Sequence, residues 1–201
     1  MLLEPRKRPH QQRSAATVDA ILEAAARILE CKGLDALTTN AVAELAGVSI
    51  GSVYQYFPGK ASILVELIRR ERLILLAGID RIAHASGDSL EGDIRALIQV
   101  AVAHQLRRPA LARVLEYGEA ELPLGPETAK LTDDLVRYLV NVLERHSVPK
   151  VMEAAHDLVA LAKGMIDAAG IAGESDQRVL VGRVCRAALG YLEYPTLAGF
   201  K

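Results

Sequence analysis

The sequence predicts an all-α protein in which three short N-terminal helices are joined by a long helix to a larger helical bundle. Apolar residues recur at intervals of three and four along most of the 201 residues, as on the buried face of a helix. No segment shows the alternation of a half-buried strand. Glycines and prolines fall between the periodic segments, where helices end.

The first helix is predicted from an apolar stripe between Val18 and Leu29, and Gly33 ends it. The second runs from the Thr38-Thr39 pair to Gly47, and the third from Ser49 to Phe57, before Pro58-Gly59. The fourth covers about residues 60–85 and is long enough to connect two bodies. Further helices are predicted at about 90–107, 110–117, 127–146, 150–169 and 176–193.

These elements suggest four regions. Residues 1–13 hold Arg6, Lys7, Arg8 and Arg13 against Glu4 and are predicted to be a flexible basic arm, either a solvated tail or a DNA contact. Residues 14–60 are predicted to be a helix-turn-helix domain and 61–85 a connecting helix. Residues 86–201 are predicted to bind an effector and to dimerise.

Composition favours a soluble cytoplasmic protein, since hydrophobic residues are 51% and charged residues 24%. No apolar run approaches the ~20 residues that span a bilayer, and no secretion signal is present. Cys31 and Cys185 lack the spacing of a zinc site, and the histidines form no ligand cluster. We therefore expect no metal and no cofactor; a redox role for either thiol stays open beside the alternative of a buried helical cysteine.

Residues 38–60 fit a helix-turn-helix. Ala43 and Ala46 are small where two helices cross, Gly47 suits a left-handed turn, and Val48 can fill the angle between the helices. Ser49 is a natural N-cap for the second of these helices.

At about 100° per residue, Gly51, Ser52 and Gln55 share the face of the third helix opposite Val53. Glycine allows close approach to a major groove, serine can bind any base edge, and glutamine can bind adenine through two hydrogen bonds. These three are the predicted base-reading residues.

Other residues are predicted to bind the DNA backbone. Tyr54 and Tyr56 flank the reading face, where their hydroxyls can reach phosphates. Lys60, at the start of the fourth helix, adds a cation, and Thr38 and Thr39 cap the helix that crosses the backbone.

The set of motifs resembles the TetR/AcrR-like transcriptional regulators over residues 14 to about 68. The matching motifs are Lys32-Gly33, Thr38-Thr39, Ala46-Gly47-Val48-Ser49, Gly51-Ser52-Val53-Tyr54, Tyr56-Phe57 and Lys60. The resemblance implies a homodimer with a variable helical ligand domain, and DNA-facing positions at Thr39, Gly51, Ser52, Tyr54, Gln55, Tyr56 and Lys60. Ala61 departs from the family, which commonly has an acidic residue there and so a stronger helix cap.

Two late apolar stripes containing small residues are predicted to pair with their symmetry mates as a four-helix dimer interface, or else to be the core of one domain. They comprise Val151, Ala155, Leu158, Ala162, Met165 and Ile166, and Leu180, Val184, Ala187, Ala188 and Tyr191.

An effector site is predicted from aromatic and polar residues of the C-terminal half, each of which can equally be a core or surface residue. They are His104, Glu116, Tyr117, Tyr138 and His156. The aliphatic composition favours an apolar or amphipathic effector.

The sequence therefore predicts a non-enzymatic repressor that binds double-stranded operator DNA of pseudo-palindromic sequence as a homodimer and is released by a small molecule. One alternative is a helical enzyme, although neither a nucleophile elbow nor a phosphate-binding loop is present. The other is a ligand-independent DNA-architectural protein, against which the long non-basic C-terminal half argues.

Overall fold

The computed structural model describes residues 12–85, 87–119 and 122–193, and over these ranges the regular structure is entirely helical. The prediction of an all-α fold is confirmed. A short 3-10 helix, Leu34–Ala36, occupies the connection after the first helix. The α-helices are α1 Gln12–Lys32, α2 Thr39–Ala46, α3 Ile50–Tyr56, α4 Lys60–Ala83, α5 Leu90–Arg107, α6 Pro109–Glu119, α7 Gly125–Arg145, α8 Val151–Ile171 and α9 Gln177–Glu193.

The helix α1 begins earlier than its apolar stripe suggested. It includes Gln12 and Arg13, which the sequence assigned to the basic arm. Residues 1–11 of that arm lie outside the described residues.

The chain divides into two compact units. The first contains the described residues up to 72 together with those of 110–124, and the second contains those of 73–109 and from 125 onward. Residues 110–124 join the first unit because Leu111, Leu115 and Leu124 are buried in the same apolar core as the helix-turn-helix. The units therefore differ from the predicted boundaries, which assigned residues 86–201 to one domain.

The predicted dimer stripes of α8 and α9 largely form the core of the second unit. Six of their residues are at most 4% exposed and pack in one apolar cluster: Ala155, Leu158, Ile166, Leu180, Val184 and Ala188. Their prediction as interface residues is wrong, because side chains that are buried within the chain have no surface left for a partner. Four half-buried members pack against this cluster, namely Val151, Ala162, Met165 and Tyr191. Ala187 is also half-buried.

A buried carboxylate ties together three helices of the second unit. The Asp93 side chain is only 7% exposed and accepts from Arg145 Nη2 at 3.1 Å. His146 Nε2 lies 2.8 Å from the same Oδ2 atom. Arg145 Nη1 also donates to the carbonyl of Ala83, the last residue of α4, at 2.6 Å. The cluster thereby joins the end of α4 to α5 and α7.

Candidate nucleic-acid interface

The turn between α2 and α3 has the conformation that its sequence predicts. Gly47 adopts φ 67° and ψ 30°, a left-handed backbone geometry that residues other than glycine rarely adopt. At the start of α2, Thr38 Oγ1 accepts from the Ala41 amide at 3.1 Å. Val42 and Val53 are 0% exposed, so one face of each helix is fixed in the core of the first unit.

The opposite face of α3 is open. Gly51 and Gln55 are exposed, and Tyr54 is 44% exposed. A Cβ added at Gly51 would find Ser49 Oγ, at 3.7 Å, as its nearest contact, so internal packing does not require a glycine. Glycine lowers helix stability relative to alanine. Its presence on this face is therefore better explained by close approach of a ligand.

Tyr56 does not project from the flank of α3 as predicted. It is 8% exposed and belongs to the core cluster, because it lies only about 60° around the helix from Val53 at 100° per residue. The predicted position on an open flank is wrong, and the predicted phosphate contact stays a prediction.

Two predicted phosphate-binding residues meet through their hydroxyls. Thr39 Oγ1 and Tyr54 Oη are 3.2 Å apart, a hydrogen bond that joins the first residue of α2 to the middle of α3. Both side chains retain surface exposure. The contact places two hydroxyl groups together beside the open face of α3.

A second hydroxyl pair lies at the beginning of α3. Ser49 Oγ accepts from the Ser52 amide at 3.0 Å, as predicted for an N-cap, and the two Oγ atoms are 2.8 Å apart. The side chain of Ser52 is half-buried beside exposed Gly51. The Ser52 hydroxyl, which is predicted to read a base, is thus hydrogen-bonded to the Ser49 hydroxyl.

Lys60 is exposed at the first position of α4. Ser62, 1% exposed, organises this helix start because its hydroxyl donates to the Gly59 carbonyl at 2.7 Å. An ammonium group close to α3 can bind a phosphate as a point charge.

Sequence reasoning left the position of Ile50 ambiguous, because its helical angle falls nearer the core side than the groove side. Ile50 is 39% exposed at the start of α3. An apolar side chain next to a reading face can contact the methyl group of thymine. Its position directly before Gly51, at the start of α3, was the available signal.

The predicted effector residues differ in exposure and belong to both units. Tyr117 is 69% exposed and His156 is exposed, and their role in binding an effector stays a prediction. Half-buried Tyr138 packs edge-on against the His84 ring at 6.3 Å. His104 and Glu116 are half-buried but belong to different units. A surface groove of about 450 Å³ lies elsewhere, against α1 and α2, and is lined by Ile28, Lys32, Ala36, Ala41, Glu44 and Leu45.

Other chemistries find little support in the described part of the chain. Within it, no group of three or more His, Cys, Asp or Glu side chains is placed to hold a metal ion. The described helices include none that is both long and apolar enough to cross a membrane. Cys31 is exposed, whereas Cys185 is buried, and burial raises the pKa of the Cys185 thiol, which disfavours a reactive thiolate.

Comparison with known proteins gives matches that include this helix-turn-helix. Residues 21–67 match the family model described as bacterial regulatory proteins, tetR family. The nucleoid occlusion factor SlmA of Vibrio vulnificus (strain YJ016) is 36% identical over 98 residues, 48% of this chain and 50% of its own. The HTH-type transcriptional repressor KstR of Mycolicibacterium smegmatis is 42% identical over 67 residues, 33% of each chain. The chain spans about half the length of the SlmA relative that it matches.

The likeness of fold extends further than the likeness of sequence. A crystal structure of a regulatory protein in the tetR family from Rhodococcus RHA1 aligns with a TM-score of 0.70 at 21% identity. The alignment covers 88% of this chain and 96% of the other. Residues 21–67 therefore carry a tetR-family domain, and the fold of the described chain is similar to that of a tetR-family structure.

Proposed function

We propose that the protein is a sequence-specific DNA-binding transcriptional regulator that reads duplex DNA with α3. The observation that carries this proposal is the open face of α3, where exposed Gly51 and Gln55 lie opposite buried Val53. Among the described residues, none packs on this glycine closely enough to require it. The match of residues 21–67 to a family of regulatory proteins supports the same function.

The proposed contacts divide into reading and positioning. Gln55 offers an amide that can pair with adenine through two hydrogen bonds, and Gly51 lets the backbone approach the groove. The Thr39 and Tyr54 hydroxyls, already 3.2 Å apart, bind phosphate, and Lys60 adds charge. Thr38 and Ser49 act through the helix starts that they cap.

Fluorescence anisotropy with duplexes from the DNA flanking its own gene tests this proposal. Gln55→Ala should change the preference among duplexes, because it removes a base contact. Lys60→Ala should weaken all duplexes and reduce the salt slope by about one per subunit. Lys130 is an exposed lysine of α7. The Lys130→Ala variant is the matched control and should bind all duplexes as the wild type does. Unchanged binding in both α3-side variants would contradict the proposal.

We further propose that two chains bind a pseudo-palindromic operator as a homodimer, with recognition helices about 34 Å apart or a multiple of it. Since six residues of the predicted stripes are buried in the second unit, we place the interface on outward residues of α8 and α9. Met152, Ile171 and Val179 are 54%, 60% and 51% exposed, and supply apolar surface there.

The dimer is tested by light scattering and by one matched pair of variants. Val179→Glu should shift the mass towards a monomer, because a charge in an apolar interface is costly. Leu73→Glu, at an apolar α4 position that is 67% exposed, should leave the mass unchanged. A wild-type monomer at micromolar concentration would refute the dimer, whereas an unaffected Val179→Glu dimer would refute this interface.

The regulator is proposed to be a repressor that an apolar or amphipathic small molecule releases from DNA. Similarity to the repressor KstR supports repression. The aliphatic core of the second unit supports an apolar or amphipathic effector. Such a compound lowers DNA affinity only as far as it prefers the non-binding conformation. In a panel of apolar and amphipathic compounds, those that raise the melting temperature of the protein should also release it from DNA. If no compound of the panel had either effect, the result would count against an effector.

A second candidate function is that of a DNA-bound nucleoid occlusion factor. The 36% identity with a protein of that name favours it, and it needs no small-molecule effector. Mapping of bound sites across the chromosome separates the two functions. A few sites near promoters would support the repressor, whereas many dispersed sites that ignore the compound panel would support nucleoid occlusion.

A further inference from the structure

The reading face contains a hydrogen-bonded hydroxyl pair whose polarity bears on sequence preference. Ser52 is a proposed base-reading residue, and its Oγ is 2.8 Å from Ser49 Oγ. Ser49 Oγ also accepts from the Ser52 amide at 3.0 Å. A serine hydroxyl can turn to donate or to accept, so whatever fixes the Ser52 proton fixes which base edges it can bind.

The direction of the hydroxyl contact follows from the groups available. One lone pair of Ser49 Oγ is used by the Ser52 amide, and Ser52 Oγ is the acceptor that the described residues offer to the Ser49 proton. If Ser49 donates, each residue gives one hydrogen bond and receives one, as in a reciprocal helix cap. The opposite direction would place an N–H and an O–H from the same residue on one oxygen.

We propose that Ser49 is a positioning residue for sequence preference: by donating to Ser52 Oγ, it turns the Ser52 proton outward as a hydrogen-bond donor. This inference rests on the proposed function of α3. The outward O–H then pairs with an acceptor on the major-groove edge, such as guanine O6 or N7 or thymine O4. A hydroxyl that accepts a hydrogen bond also becomes a stronger donor, which strengthens this choice.

Substitution of Ser49 can reverse this polarity without removing the helix cap. Aspartate, asparagine and serine are similar N-caps. The carboxylate of Ser49→Asp only accepts, so it should draw the Ser52 proton inward and leave lone pairs outward. Those lone pairs favour the amino groups of cytosine and adenine. The amide of Ser49→Asn can accept from the Ser52 amide and still donate to Ser52 Oγ, so it should preserve the wild-type polarity.

Selection of binding sequences from a random pool of duplex DNA tests the inference with the full-length chain. Wild type and Ser49→Asn should enrich guanine or thymine relative to cytosine at one position of each half-site. Adenine carries both an acceptor, N7, and an amino group, so it is compatible with either polarity. Ser49→Asp should move that position alone towards cytosine, by about fivefold, the factor expected from one neutral hydrogen bond. Thermal unfolding should be similar for all three, since the cap is kept.

A neutral variant covers the case in which the negative charge of Ser49→Asp abolishes DNA binding. Glycine is a tolerated N-cap, so Ser49→Gly removes the hydroxyl while α3 stays folded, and the preference at that position should broaden. An unchanged preference in either Ser49→Asp or Ser49→Gly would overturn the inference, as would an equal change in Ser49→Asn. If wild type itself enriched no sequence, the proposed function would fail first, and this inference with it.

Discussion

Replacement of Gly51 by alanine should make the protein more stable and a poorer DNA-binding protein. Gly51 is the second residue of α3, is exposed, and would place an added Cβ no closer than 3.7 Å to Ser49 Oγ. The methyl group therefore fits the free protein. Alanine is favoured over glycine in a helix by about 0.5–1 kcal/mol, which corresponds to a rise of about 2 °C in the melting temperature for a chain of this size.

The effect on DNA binding should have the opposite sign. The same methyl group points away from Val53, towards the space that the proposal assigns to the groove. Overfilling a close contact costs about 1–3 kcal/mol, so we expect an affinity loss of about tenfold or more. Differential scanning calorimetry and anisotropy on one preparation measure both quantities.

A matched control separates helix propensity from DNA contact. Gly182 lies within α9, and an added Cβ would be no closer than 3.7 Å to the flexible end of the Arg186 side chain. Gly182→Ala should give a similar small gain in stability and normal DNA binding. The reasoning fails if Gly51→Ala binds DNA as tightly as wild type, or if it lowers the melting temperature.

Two further predictions concern the second unit. Asp93→Asn should lower the free energy of unfolding by about 3 kcal/mol, because it removes the charge that Arg145 faces in a buried cluster. Urea unfolding followed by circular dichroism measures this loss, and an equal loss in the exposed control Asp133→Asn would contradict it. A hydrogen bond to Asp157 raises the pKa of Tyr191 to about 12, so stability from this contact should be complete below the ordinary pKa of about 10 and lost as pH rises towards 12. The latest component of an ultraviolet tyrosine titration should disappear in Tyr191→Phe, and its persistence would refute the assignment.

The helices could be predicted from the sequence because the apolar period and the end signals agree. Gly47 and Ser49 show this most clearly, since a left-handed turn and an N-cap follow from residue chemistry alone. The predicted fifth helix, 90–107, has the bounds that the structure gives. Local rules suffice where the cause of a structure is local.

Which helices pack against each other could not be predicted in the same way. The apolar stripe of a helix such as α8 or α9 has the same sequence pattern whether it packs on a helix of the same chain or of a second chain. Here Ala155 and Leu180 are 0% exposed within the single chain. Likewise, the apolar residues of α6 do not reveal which core they join; Leu111 and Leu115 join that of the first unit. Periodicity identifies the buried face of a helix but not the surface that buries it.

The residues of α3 and its C-cap, Phe57, separate into those that folding explains and those that it does not. Burial explains Val53, Tyr56 and Phe57, which are at most 8% exposed, and Tyr56 shows that even a residue with a plausible polar role can belong to this set. Folding does not explain Gly51, which weakens the helix without relieving a close contact, or Ile50, an apolar side chain left 39% exposed. Natural sequences keep such locally unfavourable choices mainly at functional sites. Because both lie in the first turn of α3, the start of that helix, and not its whole outward surface, is where contact with DNA should be closest.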